Sequence, residues 1–132
     1  MFRDRPLFGV GPGDSVVAYP LYVPKDAHCG CQDQLVVHNA FIQILGELGA
    51  LGFIPFMVML GAAILHSARL QRVQDPDLQT YALGLQLALL GFVICGLSGG
   101  FAWSWFAYLL VGLIAAAKQN MISTNEQALN VA

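Results

Sequence analysis

Charge is scarce in this 132-residue chain. Asp, Glu, Lys and Arg together make up 11% of it, against about 25% in an ordinary soluble domain. That shortage excludes a free-standing soluble enzyme. The net charge is −2 and no basic run occurs, which excludes nucleic acid as a partner, because phosphate backbones are gripped by clustered Lys and Arg. Three cysteines, Cys29, Cys31 and Cys95, are too few and too unevenly placed for a disulfide scaffold. No charged stretch followed by an apolar core opens the chain, so Met1 does not begin a signal peptide. The glycine-rich Gly9–Gly13 has no Lys-Ser/Thr after it and is not a P-loop.

What is abundant is apolar surface: 57% of the residues are hydrophobic and the mean hydropathy is +0.63. The chain divides into two halves by composition. Residues 1–37 hold four of the six prolines, Gly9, Gly11, Gly13 and Gly30, two of the three cysteines and half of the charged residues. They read as an irregular loop with a short strand at Ser15–Tyr22, whose prolines deny it a central place in any sheet. From Leu48 onward the chain is nearly all apolar. Crossing the roughly 30 Å hydrocarbon layer takes about 20 residues, and three segments qualify: Leu48–Leu65, Tyr81–Leu97 and Phe101–Ala117. The expected fold class is an all-α membrane protein, with three transmembrane helices after an irregular loop segment.

Positive residues beside the spans set the orientation. Arg69, Arg72 and Lys118 flank one side, while Arg3, Arg5 and Lys25 lie on the other, the first two too far upstream to weigh. Residues 67–80 are therefore expected in the cytoplasm and residues 1–47 outside. Phe101, Trp103, Trp105, Phe106 and Tyr108 then form an aromatic belt at the outer interface. A polar segment placed outside without a signal is exported naturally when other spans precede it. The chain is accordingly expected to be the C-terminal part of a larger polytopic bundle. Its segments are a loop at 1–37, a motif helix running into the first span at 38–66, a cytoplasmic loop at 67–80, spans at 81–97 and 101–117, and a polar, frayed tail at 118–132.

The chemistry concentrates between His38 and Gly52. As a helix, this stretch puts His38, Ile42, Leu45, Gly49 and Gly52 on one face, and Asn39, Gln43 and Glu47 on a polar face beside it. Gly46, Gly49 and Gly52 allow another helix to approach closely, and Pro55 bends the span by removing a backbone hydrogen bond. Asn39, or Asp33 for an earlier start, suits the N-cap. With Asn39 as cap, His38 stands at the positive end of the helix dipole, which favours neutral imidazole and attracts phosphate. A neutral histidine near phosphate can act as a general base; an interfacial histidine without chemistry has the same periodicity. Both readings stay open on spacing alone.

His38-Asn39, then nine residues, then Gly49, two residues and Gly52 resembles the C-terminal motif of the O-antigen ligase and polymerase family. Arg5-Pro6-Leu7-Phe8-Gly9-Val10-Gly11-Pro12-Gly13 is similar to the P-L-x-G-x-G-x-G stretch that opens the same family's periplasmic loop segment. The two stand in the family's order and cover residues 3–65 or so. The resemblance implies a bacterial inner-membrane glycosyltransferase with residues 1–47 periplasmic. Such enzymes take a glycan from undecaprenyl pyrophosphate and transfer it to lipid A-core, or to a growing polysaccharide. The family's required histidine maps onto His38, the catalytic candidate. Asn39, Arg3 and Arg5 are candidates for substrate binding, the arginines by charge alone, and Gly9, Gly11, Gly49 and Gly52 form the structural motif. No cofactor and no metal are called for, and the fragment alone is expected to be inactive.

Other constellations compete. His28-Cys29-Gly30-Cys31 with His38 has the residue types of a zinc site, yet the Cys-x-Cys spacing is tighter than usual and no second pair follows. Glu47, at the membrane boundary, is either functional or a solvated helix residue. Gly84, Gly91, Gly96 and Gly100 suggest close helix packing, and Gln86 a bond to a neighbouring helix. The alternative function is a non-enzymatic multi-span module, a transporter or an assembly subunit. A transporter places polar groups at mid-membrane; here only Gln86 and Cys95 in the second span answer to that.

Overall fold

The computed structural model describes residues 1–22, 37–100 and 102–131, with side chains described as far as Asn120. All regular structure among them is helical: α1 (Ser15–Tyr22), α2 (Ala40–Leu70), α3 (Pro76–Gly96) and α4 (Trp105–Val131). The stretch expected as a strand at Ser15–Tyr22 is thus a helix. No described strand stands beside it to pair with, and the Asp14 carbonyl accepts the Ala18 amide at 2.8 Å to close the first turn.

Caps written into the sequence start the longer helices. Asn39 Oδ1 accepts the amides of Phe41 and Ile42 at 3.0 and 2.9 Å, satisfying donors that a helix start leaves without partners. Asp75 Oδ1 does the same for Asp77 and Leu78 at 3.0 and 3.3 Å, with Pro76 at the first helical position, where a missing amide costs nothing. The helices outrun the apolar segments read from sequence. α2 begins eight residues before Leu48 and continues to Leu70. The tail after Lys118, expected to fray, prolongs α4 to Val131, and no glycine or proline interrupts it.

Two helices, α2 and α3, are long and apolar enough to cross a membrane, and only 22% of the most apolar window in each is buried. Leu51, Ile54, Val58, Leu65, Leu87 and Ile94 are all exposed. α4 is 27 residues long, but its apolar part, Trp105 to Ala117, reaches only about 20 Å at 1.5 Å per residue.

The chain forms two compact units. One comprises Met1–Met57 with Ile94–Trp103, and the other Val58–Val93 with Ser104–Ala132. In the first, Ala40, Ile44, Phe56 and Ala102 are buried, and the Phe41 and Phe56 rings lie 6.2 Å apart. Gly96, at the end of α3, lies against Ala40 and Phe41. In the second, Leu70, Ala82 and Ala117 form a buried cluster with Leu78. Gln86 Oε1 there accepts a hydrogen bond from Gln71, in the turn just beyond α2 and not on the neighbouring helix expected to supply the partner.

Candidate functional site

The site is built where α2 breaks. Gly49 has φ 64° and ψ −163°, a backbone region open essentially to glycine alone. A continuous helix would bond the Ala50 amide to the Gly46 carbonyl and the Leu51 amide to the Glu47 carbonyl. The break frees all four groups, and the N-terminal loop meets each one. Val10 donates to the Gly46 carbonyl at 3.0 Å and Gly11 to the Glu47 carbonyl at 2.9 Å. Ala50 donates to the Pro6 carbonyl at 2.8 Å and Leu51 to the Leu7 carbonyl at 3.2 Å. Four hydrogen bonds to the loop thus take up backbone groups on both sides of the break.

Glycine makes the approach possible from both sides. A Cβ on Gly49 would run into the Leu7 carbonyl and stand 2.7 Å from the Phe8 amide; one on Gly9 would meet the Glu47 carbonyl and stand 2.6 Å from that of Gly46. Gly9, Gly11 and Gly13 all have positive φ, which lets the loop turn three times in five residues. The expectation that Gly46, Gly49 and Gly52 receive another helix is corrected here. A loop receives the close approach at Gly49, a Cβ on Gly46 would meet nothing within 4 Å, and a Cβ on Gly52 would strike Leu48 of its own helix. The kink expected at Pro55 is preceded by this break, six residues upstream.

Glu47 is the centre of the arrangement, although the sequence left it as a solvated residue as readily as a functional one. It is 0% exposed. Its Oε2 accepts the Gly13 amide at 2.7 Å and the Trp103 indole Nε1–H at 2.7 Å, and its Oε1 accepts the Gln43 side-chain amide at 3.1 Å. Ser15 is buried as well. A buried carboxylate is tolerated only when such donors replace water. Gln43 Oε1 is buried without a partner, beside a cavity of about 140 Å³ lined by Met1, Phe2, Ser15, Ile42, Gln43 and Gly46 among others.

His38 is exposed, one residue before the cap. Asn39 is occupied on both sides: besides capping α2, its Nδ2 donates to the Leu97 carbonyl at 3.0 Å, which fixes the α2 start to the end of α3. Arg3 and Arg5 are exposed, and Arg5 lines an open cleft with Pro6, Leu7, Phe8 and Gly9. Among the described residues no cluster of three His, Cys, Asp or Glu side chains could hold a metal ion. His28, Cys29, Cys31, Lys25, Asp33 and Phe101 lie outside the described residues. The sequence missed Glu47's burial and its link to Trp103, 56 residues away. The signal for it was the strict four-residue step from Gln43. Comparison with protein-family models, curated proteins and solved structures yields no match to this chain.

Proposed function

We propose that the chain is the C-terminal part of an O-antigen ligase-like glycosyltransferase of the bacterial inner membrane. It would transfer a glycan from undecaprenyl pyrophosphate to lipid A-core, or to a growing polysaccharide, at the periplasmic face. One observation carries this reading: the two stretches that bear the family resemblance, Arg5–Gly13 and His38–Gly52, lock together through the four backbone hydrogen bonds at Gly49. Glycine-rich stretches that matched a motif by coincidence would have no reason to meet. The largely exposed apolar faces of α2 and α3 support a lipid surround, since apolar area of this extent is not left to water.

In this reading the acceptor hydroxyl attacks the anomeric carbon of the donor, and His38 takes the hydroxyl proton through its neutral imidazole. The bond from that carbon to the pyrophosphate oxygen breaks, and the pyrophosphate carries off the electron pair. His38 is exposed and so accessible to substrate. The α2 start beside it offers a partial positive charge to the phosphates. Arg5 and Arg3, on the loop fastened to the same helix, supply cationic donors for the leaving group. The test is His38→Ala in the complete protein, assayed for glycan attachment to lipid A-core. Loss of transfer at normal protein level is expected. Full transfer at normal level removes the enzymatic reading.

A further inference from the structure

We propose that Glu47 is a positioning residue for this transfer: its buried carboxylate fastens the glycine loop and the Trp103 segment to α2, whose start follows directly on His38 and Asn39. The proposal rests on the glycosyltransferase reading for its reaction, but its structural half can be measured without it. Three segments meet at one side chain: Gly13 from the N-terminal loop, Gln43 from α2, and Trp103 from the connection before α4. All are neutral donors. The loop so held is the one that carries Arg3 and Arg5, and His38 stands two residues before the first residue of the helix so held. Glu47 is fully buried and does not reach substrate, so it acts through the groups it holds.

The hydrogen-bond pattern says what the site needs. Oε2 receives two donors and Oε1 one, while Gln43 Oε1 stands unpartnered next to them. In Glu47→Gln, the remaining oxygen can keep Gly13 and Trp103. The new amide can then donate to Gln43 once the Gln43 amide turns over. The clamp therefore requires an acceptor of glutamate's length and not a negative charge. Glu47→Asp retains the charge but is one methylene short and cannot reach both Gly13 and Trp103.

Four variants of the complete protein, Glu47→Gln, Glu47→Asp, Trp103→Phe and His38→Ala, would be reconstituted in lipid. Each would be read by steady-state transfer and by amide exchange at Gly11 and Gly13. Glu47→Gln is expected to keep kcat and loop protection. Glu47→Asp and Trp103→Phe are expected to release the loop amides and lower kcat by tenfold to about a hundredfold, as displacements near 1 Å do. KM for the lipid donor should change less than kcat. His38→Ala should abolish transfer with the loop still protected. Loop protection unchanged in Glu47→Asp and Trp103→Phe overturns the clamp. A released loop with wild-type kcat overturns its positioning role. Loss of transfer in Glu47→Gln with the loop protected overturns it too, by showing that the charge itself is used. If His38→Ala alone retains activity, the reaction assignment fails and the exchange data still decide the clamp.

Discussion

Replacing Gly49 by alanine isolates the physics of the helix break. Alanine at φ 64°, ψ −163° is strained, and its Cβ would collide with the backbone of Leu7 and Phe8, which cannot swing aside as a side chain would. The cheapest relief is a straight helix: Ala50 and Leu51 rebond to Gly46 and Glu47, and the loop is expelled. Four loop bonds are lost and two helical ones regained, a net loss of two at about 0.5–1.5 kcal/mol each. The Gly13 bond to the Glu47 carboxylate goes with the loop, at about 1.5–3 kcal/mol for a bond to a charged group. Alanine returns about 1 kcal/mol through its better helix propensity. The sum is a destabilisation of about 2–5 kcal/mol. Chemical denaturation of the complete protein in lipid, with amide exchange, reads both parts of the argument. Val10 and Gly11 should lose protection while Ala50 and Leu51 keep theirs. Gly46→Ala is the control: its Cβ meets nothing within 4 Å and its φ is not positive, so it should be neutral or stabilising by up to about 1 kcal/mol. A Gly49→Ala protein within about 0.5 kcal/mol of wild type, with Val10 and Gly11 still protected, would refute the reasoning.

Asn39→Ala should lower stability by about 1–2 kcal/mol, because two helix-start amides lose their acceptor and the Leu97 carbonyl loses its donor; an unchanged denaturation midpoint would contradict this. Orientation can be read by labelling single cysteines in intact cells with a membrane-impermeant maleimide. Phe8→Cys, at a position 74% exposed, should react from outside, and Asp75→Cys should not; the reverse pattern is incompatible with a periplasmic site. His38→Ala and the Glu47 series test the chemistry and its support separately.

Much of the local structure was legible in the residues. Asn39 was readable as a cap because its short amide beside an amphipathic run has one obvious use. The apolar runs announced helices fit for a bilayer, since composition and length alone govern that. Ser15–Tyr22 was misread, because valine and tyrosine favour strands only where another strand stands alongside, and no local pattern reveals whether one does. The tail after Lys118 continues α4 to Val131, since polar residues without glycine or proline do not by themselves end a helix.

The sequence by itself determined where charge is missing, which segments are apolar, where helices can start, and which glycines are able to take positive φ. It did not determine which glycine would. That depended on Pro6–Gly11 arriving beside Gly46–Leu51, with amides and carbonyls spaced to replace the helical bonds that the break gives up. Nor could it show that Glu47 is buried. A carboxylate's burial depends on donors brought in from Gly13 and Trp103, and only the packed chain brings positions 34 and 56 residues away to one oxygen.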